Sequence, residues 1–427
     1  MSDFLKKYRK IILALLFSLG AIFGLIQRSH DPYFGSTRSR YFAPAEKSLA
    51  DYYKEAEDRA KILQAPSVTF TAVGDISLSR GVAAAVKTAN DPSLPFQGMA
   101  DVFKQADFNF GNLESPFSPS PKTDIIGGHT LIFGAPQNYI RGLVQAKFQA
   151  VSLANNHALD LGLAGLSFTR DWLLKNGIQG AGAGQNQSQA WQPAVVSAKG
   201  LKFCFIAASY ASVNDGGKTK NTYLARIEDL DNLKNAVMNA RQQCNLVIAS
   251  MHAGTEYTAK PNQAQIAFAR AAINAGADLV IGHHPHWIQT IEKYNGSPPH
   301  PNCKKSSFEN PFIEQENIKI QALDLGNGCG GKYIFYSLGN FIFDQNWSQK
   351  TKEGLALKIT ASGSQTPNAL APGAAGLTDL QGPRPAAKIE SIELVPVIIE
   401  NSQPRPAAPD ETKKILDRIG KKDNRLE

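Results

Sequence analysis

The chain has only eight histidines in 427 residues, and three of them, His283, His284 and His286, crowd into the stretch GHHPH at 282–286. A solvated turn has no use for that density of imidazole, whereas a metal site does. Other donors follow other apolar runs: Asp75 after TAV, Asn112 and Glu114 after FNF, Asn155-Asn156-His157 after SLA, and His252 after IAS. Divalent transition metals take imidazole nitrogen and carboxylate oxygen, and a hydrolytic pair of ions needs a bridging carboxylate with roughly three further ligands for each. Asp75, Glu114, Asn156, His252, His284 and His286 are therefore the candidate set for one or two divalent ions, manganese, zinc or iron. Two such ions, about 3.5–4 Å apart, activate a water and clamp a phosphoryl oxygen during in-line displacement.

Taken singly, each donor has a plainer reading. Gly-Asp after a strand is a common turn, Asn155 and Asn156 are helix-capping types, and a lone histidine on an apolar strand is ordinarily a satisfied core residue. His284 and His286, two apart around Pro285, point the same way in an extended segment, which turns His283 to the other side. Joint placement is what favours a site.

That placement depends on the elements. Strand-like runs at SVTFTAV, ADFNF, AVSLA, FCFIAAS, NLVIAS, ADLVI and YIFYSL are separated in several places by helix-period segments, GLAGLSFTRDWLLKN, DNLKNAVMNARQQ and NQAQIAFARAAINA. This alternation predicts an α/β domain whose sheet is covered by helices. The polar residues then stand at the carboxyl ends of five strands, the edge where open α/β sheets carry their sites. Groups remote in sequence would converge there.

The charge of +8 is thinly spread except at the termini, and no basic, aromatic-interleaved face indicates nucleic acid as a partner. Lys6, Lys7, Arg9 and Lys10 precede an uncharged apolar run, IILALLFSLGAIFGLI, with no small-residue cleavage site after it. That pattern predicts an uncleaved transmembrane helix within residues 1–28, with a cytoplasmic N-terminus and the rest of the chain extracytoplasmic at the cell membrane. Residues 29–65 read as a polar stalk with a short helix, and 66–360 as the main domain with an insertion at 297–332. Residues 361–387 read as a flexible Ala/Gly/Pro-rich insertion, and 388–427 as a closing strand and helix. Of the four cysteines, Cys303 and Cys329 bracket a polar segment that a disulfide would close, while Cys204 and Cys244 read as buried thiols.

The ordered set AVGDISLSRGV, FGNLESP, VSLANNHALDLGLAGL, HAGTEY, GADLVIGHHPHWIQ and YSLGNFIFDQ resembles the CapA family of poly-γ-glutamate capsule biosynthesis proteins over about residues 66–360. The resemblance implies membership of the calcineurin-like metallophosphoesterase superfamily and a four-layer α/β/β/α sandwich. It makes Asp75 a ligand of the first ion, Glu114 the bridging carboxylate and Asn156 a ligand of the second ion. His252, His284 and His286 complete the shell. His157 becomes the general acid or transition-state donor, with Asp160 orienting it, as a carboxylate behind an imidazole fixes its tautomer. Asn155, Glu256 and Tyr257 are placed to touch substrate, and the YSLGNFIFDQ segment serves as scaffold. The chain departs from the superfamily pattern at Ser77, where Asp-x-His would carry histidine. Glu114 also replaces the more usual aspartate, and Ala253 and Gly134 stand where the family more often has tryptophan and a basic residue.

Two functions are consistent with these residues. One is a membrane-anchored metal-dependent hydrolase serving the biosynthesis, export or retention of an anionic polymer such as poly-γ-glutamate, beside capsule synthase membrane subunits. The other is a non-catalytic scaffold or polymer-binding subunit of such a complex, with a degenerate metal site.

Overall fold

The computed structural model describes residues 66–120, 132–212, 221–296, 331–363 and 387–419, short pieces at 125–126, 130–131 and 319–321, and positions 48, 214 and 217. The expected anchor and stalk helix, the pair Cys303 and Cys329, and most of the two insertions lie outside the described residues. The chain divides into two units, Met1–Ile62 and Leu63–Glu427, and all the described strands and helices belong to the second.

The first strands along the chain are β1 (Ser67–Ile76), β2 (Phe108–Leu113), β3 (Phe148–Ser152), β4 (Gln179–Ala181), β5 (Ala194–Ala198) and β6 (Leu201–Ser209). They are succeeded by β7 (Leu246–His252), β8 (Leu279–His283), β9 (Ile291–Tyr294), β10 (Lys332–Phe335), β11 (Asn340–Ile342), β12 (Glu353–Ser362), β13 (Lys388–Glu400) and β14 (Gln403–Pro406). The longer helices are α1 (Arg80–Ala89), α2 (Gly162–Lys175), α3 (Leu230–Gln243), α4 (Gln263–Ala275) and α5 (Pro409–Ile419). One sheet has the order β13-β12-β1-β2-β3-β4, with Lys319–Gln321 beyond β13, β11 parallel to β1 and β14 on β13. The other runs β9-β10-β8-β7-β6-β5.

Strand alternation sends side chains to two different cores. Val68, Phe70, Phe108 and Phe110 of the first sheet meet Phe203, Phe205, Ile248 and Ile281 of the second, with Phe110 stacked on Phe205 at 4.4 Å. Each phenylalanine removed from water there contributes on the order of 2 kcal/mol. On the outer face of the first sheet lie Val82 and Val86 of α1 and Leu166 and Leu173 of α2. Leu233 and Val237 of α3 and Phe268 and Ala272 of α4 cover the second sheet. The layers are therefore α/β/β/α.

Two features depart from the local sequence pattern. Cys204 of β6 and Cys244, the residue closing α3, are joined in a disulfide rather than standing as free thiols. Parallel pairing of β6 with β7 sets Cys204 beside Val247, and the returning end of α3 brings the two Cα atoms to 5.9 Å, within bonding reach. The proline-rich QPRP stretch, which carries no strand signal of its own, forms β14; its prolines are tolerated because it pairs with β13 alone.

Candidate metal centre

The site begins with an irregularity in β1. Three steps along β1, from Ala72 to Asp75, match two along β2, from Phe110 to Asn112. One extra residue in a strand reverses which face the subsequent side chains occupy. Asp75 thereby joins the face of Phe70 and Ala72, toward the second sheet, and Ile76 turns to the outer helices. Gly74 permits this bulge: a Cβ there would lie 2.0 Å from the Gly339 carbonyl oxygen. Gly74-Asp75 is thus part of the strand, not a turn after it.

Three other strands present polar residues to the same inner face by simple alternation. Phe108 and Phe110 lead to Asn112, Leu246 and Ile248 to His252, and Leu279 and Ile281 to His283. Asn112 Nδ2 donates to Asp75 Oδ1 at 2.8 Å and lies 3.1 Å from His252 Nδ1. Just past the strand ends, Asn156 Oδ1 sits 2.7 Å from His252 Nε2, and the His284 backbone N–H donates to Asp75 Oδ2 at 3.2 Å. His286 Nδ1 is 3.5 Å from Asp75 Oδ2 and 2.9 Å from Asn340 Oδ1. The His284 ring packs 4.8 Å from that of His252. All six expected ligands lie in or beside one buried cluster.

His283 corrects the expectation that it turns away. Its Nδ1 lies 3.5 Å from Asp75 Oδ1, fully buried. The extended conformation ends at His283, and both His284 and His286 have positive φ, 96° and 56°. The backbone therefore curls around the centre and presents all three rings to it.

The donor atoms fit a divalent cation. One atom each from Asp75, Glu114 and His252 lie within 4.8 Å of one another. Both Glu114 oxygens are buried without a hydrogen-bond partner, as are His284 Nδ1 and both His283 nitrogens. An ionised carboxylate in that setting is costly unless a cation accompanies it. Burial, reinforced by the charges of Asp75 and Glu256, pushes Glu114 well above the usual carboxylate range, with Arg80 opposing. Burial also opposes Asp75 ionisation, but the His283 and His286 contacts outweigh it and hold Asp75 well below its ordinary value. Burial depresses His252, and depresses His284 to about 3, aided by the neighbouring imidazoles. Both rings stay neutral, the form that binds metal. The Ser77 hydroxyl, where a further histidine would be expected, is 2.8 Å from that of Ser79.

His157 stands over this cluster. Its Nδ1 is 2.7 Å from Asp160 Oδ2 and its Nε2 is 3.9 Å from Glu114 Oε1. Phe133 holds the pair twice, by its N–H donating to the same Asp160 oxygen at 2.6 Å and by its ring stacked on the imidazole. Asn155 is another correction. Rather than reaching substrate it is fully buried, donating to Asn112 Oδ1 and the Leu113 carbonyl and accepting from the His157 N–H. Glu256 is exposed, and Tyr257 is partly buried with its hydroxyl 3.3 Å from Gln345 Nε2. The Tyr257 ring is 6.0 Å from His286, and burial with the Glu256 charge pushes its hydroxyl to about 12.

Asn112, His283, Asn340, Phe133 and Arg80 carry more of the site than their sequence context suggests. Alternation could have marked Asn112 and His283. Phe133 and Arg80 carry no local signal.

Fold and site together define a sandwich of two sheets with a buried carboxylate, amide and imidazole centre at the strand ends. The chain belongs to the bacterial capsule synthesis protein PGA_cap family, which matches residues 69–345. It is 28% identical over 284 residues to the PGA biosynthesis protein CapA of Bacillus subtilis (strain 168), covering 66% of this chain and 65% of the relative. It is 27% identical over 304 residues to the capsule biosynthesis protein CapA of Bacillus anthracis, covering 70% and 65%. The matches thus span just under two thirds of those relatives' lengths. Among solved structures, the calcineurin-like phosphoesterase YfkN of Bacillus subtilis aligns with a TM-score of 0.40 and 11% identity, covering 83% of this chain and 97% of that one.

Proposed function

We propose that this protein is a membrane-anchored, extracytoplasmic, metal-dependent hydrolase that serves production, export or retention of poly-γ-glutamate or a related anionic capsule polymer. The observation that carries the hydrolase reading is Glu114, a buried carboxylate with neither oxygen partnered, facing Asp75, His252 and His157. The polymer is taken from what the two Bacillus relatives are named for. The anchor rests on the basic and then apolar N-terminus.

Asp75, Glu114, Asn156, His252, His284 and His286 would hold one or two divalent ions, with His283 beside them. Such ions, when bound, supply an activated water and Lewis-acid stabilisation of the scissile group. His157 directs Nε2 toward the centre while Asp160 accepts from Nδ1, so the imidazolium is oriented to give its Nε2 proton to the leaving group. The ligands are buried, and Glu256 and Tyr257, which are more exposed, would stand where substrate approaches.

A non-catalytic scaffold is the second reading, favoured by the Ser77 hydroxyl that occupies itself with Ser79. The purified full chain, loaded with manganese, zinc or iron and assayed on phosphodiesters and γ-glutamyl peptides, separates the two. Turnover that requires metal and disappears in His157→Ala supports the enzyme. Stoichiometric metal with no turnover, and intact polymer production by His157→Ala in cells, leaves only the scaffold.

A further inference from the structure

Arg80 opens α1 with φ of 51°, in the left-handed region. For a long side chain that conformation costs on the order of 1 kcal/mol, and such residues gather where geometry serves a ligand. Its Nη2 pairs with Asp344, whose other oxygen accepts from the Gly81 N–H at 2.9 Å. Gly81 makes room for that carboxylate, since a Cβ there would lie 2.9 Å from Asp344 Cβ. The guanidinium carbon lies 4.4 Å from the Phe133 ring and 5.5 Å from that of Phe343. These rings in turn touch the centre: Phe133 stacks on His157 at 3.7 Å, and Phe343 lies 5.0 Å from His286. Arg80 is thus held above the aromatic wall behind two imidazoles of the site.

The residue is only partly used by the protein. Asp344 is its one hydrogen-bonding partner among the described residues, Nε is buried without one, and the side chain remains 19% exposed. A tether between α1 and the segment after β11 would need only the Nη2 contact. A planar fork with donors to spare suits a carboxylate or a phosphate.

We propose that Arg80 is the oxyanion-binding residue of the metal centre, gripping a carboxylate or phosphate of the substrate at its rim. This rests on the reading of the centre as a substrate site. Asp344, Phe133 and Phe343 fix the fork in advance, so little rotamer freedom is lost when the anion arrives.

Calorimetric titration of the manganese-loaded full chain with inorganic phosphate, and separately with γ-glutamyl-glutamate, tests it in wild type, R80Q and R80K. R80Q is expected to weaken one probe at least tenfold, and R80K, which keeps charge but loses the fork, by about threefold. Weakened phosphate binding assigns a phosphate group, and weakened dipeptide binding assigns the polymer's carboxylate. Unchanged binding of both probes by R80Q overturns the proposal, as does a metal-loaded wild type that binds neither. Should R80Q fail to fold or to take up manganese, unchanged affinities in R80K overturn it. The hydrolase reading fails separately, when metal and anion both bind and nothing is turned over. A wild type that takes up no manganese removes the centre and the proposal together.

Discussion

The His157 imidazole lies flat on the Phe133 ring, with centroids 3.7 Å apart and planes 7° from parallel, while the Phe133 N–H donates to the Asp160 oxygen that faces His157 Nδ1. One residue fixes both His157 and Asp160, the pair proposed above to handle the proton. Replacing the flat ring in F133L is expected to lower turnover about tenfold with little change in KM, whereas F133Y keeps the stack and most of the rate. Equal rates in F133L and wild type would show that Asp160 alone is enough to orient His157.

Asn340 Oδ1 lies 2.9 Å from His286 Nδ1, and the amide is itself held by its Nδ2 bonds to Gln345 and the Thr351 carbonyl. Loss of such support behind an imidazole ligand typically weakens metal binding about 10- to 100-fold. N340A should show that loss in competition with a fluorescent chelator while its thermal unfolding stays cooperative. Unaltered metal affinity would remove His286 from the ligand set.

Acid should unfold the metal-free protein through its buried imidazoles. His252 and His284 are depressed from their ordinary 6.5, His284 to about 3. The unfolded chain gains their protons as pH falls through 6.5 and the folded chain does not, so stability is lost from there toward pH 3. For His284 alone the full loss is on the order of 5 kcal/mol. Glu114, with its raised pKa, acts the other way, its contribution declining as pH rises above its ordinary 4.5. Urea midpoints of chelator-treated protein between about pH 7 and 4 measure the sum. In H284N the acid-side decline should be shallower than in wild type, and parallel curves would contradict the assignment.

The Gly74→Ala change adds one methyl group where the Gly339 carbonyl stands 2.0 Å away. Either β1 or the turn before β11 must then shift, and both carry the site. A loss of about 2 kcal/mol or more in urea unfolding is expected, together with reduced manganese stoichiometry measured by elemental analysis. Full metal content in a destabilised G74A would show that the bulge does not aim Asp75.

Much of the framework is legible in the sequence because it follows from local periodicity. The runs SVTFTAV, FCFIAAS, NLVIAS and ADLVI form strands, and the three helix-period segments form α2, α3 and α4, as their apolar spacing requires. The six candidate ligands are recognisable from residue type and position at strand ends. His283 follows Leu279 and Ile281 to the inner face by alternation along β8, whereas it is positive φ at His284 and His286 that brings their rings to the same centre, and nothing local announces that. The type of Asn155 suits a substrate contact and an internal brace equally well, and only burial distinguishes the two. Nothing local to Cys204 or Cys244 says that α3 returns its end to β6.

From the amino-acid order alone come the alternation of strands and helices, the donor types and the basic and apolar start of the chain. These depend on side-chain chemistry and on periods of a few residues. Tertiary structure decides how the donors meet: a one-residue bulge faces Asp75 toward the second sheet, and strands remote in sequence bring Asn112, His252 and His283 to it. It also sets Arg80 over Phe133 and Phe343. Such contacts join residues tens to hundreds of positions apart, and their energies arise only when the two sheets close on each other and exclude water.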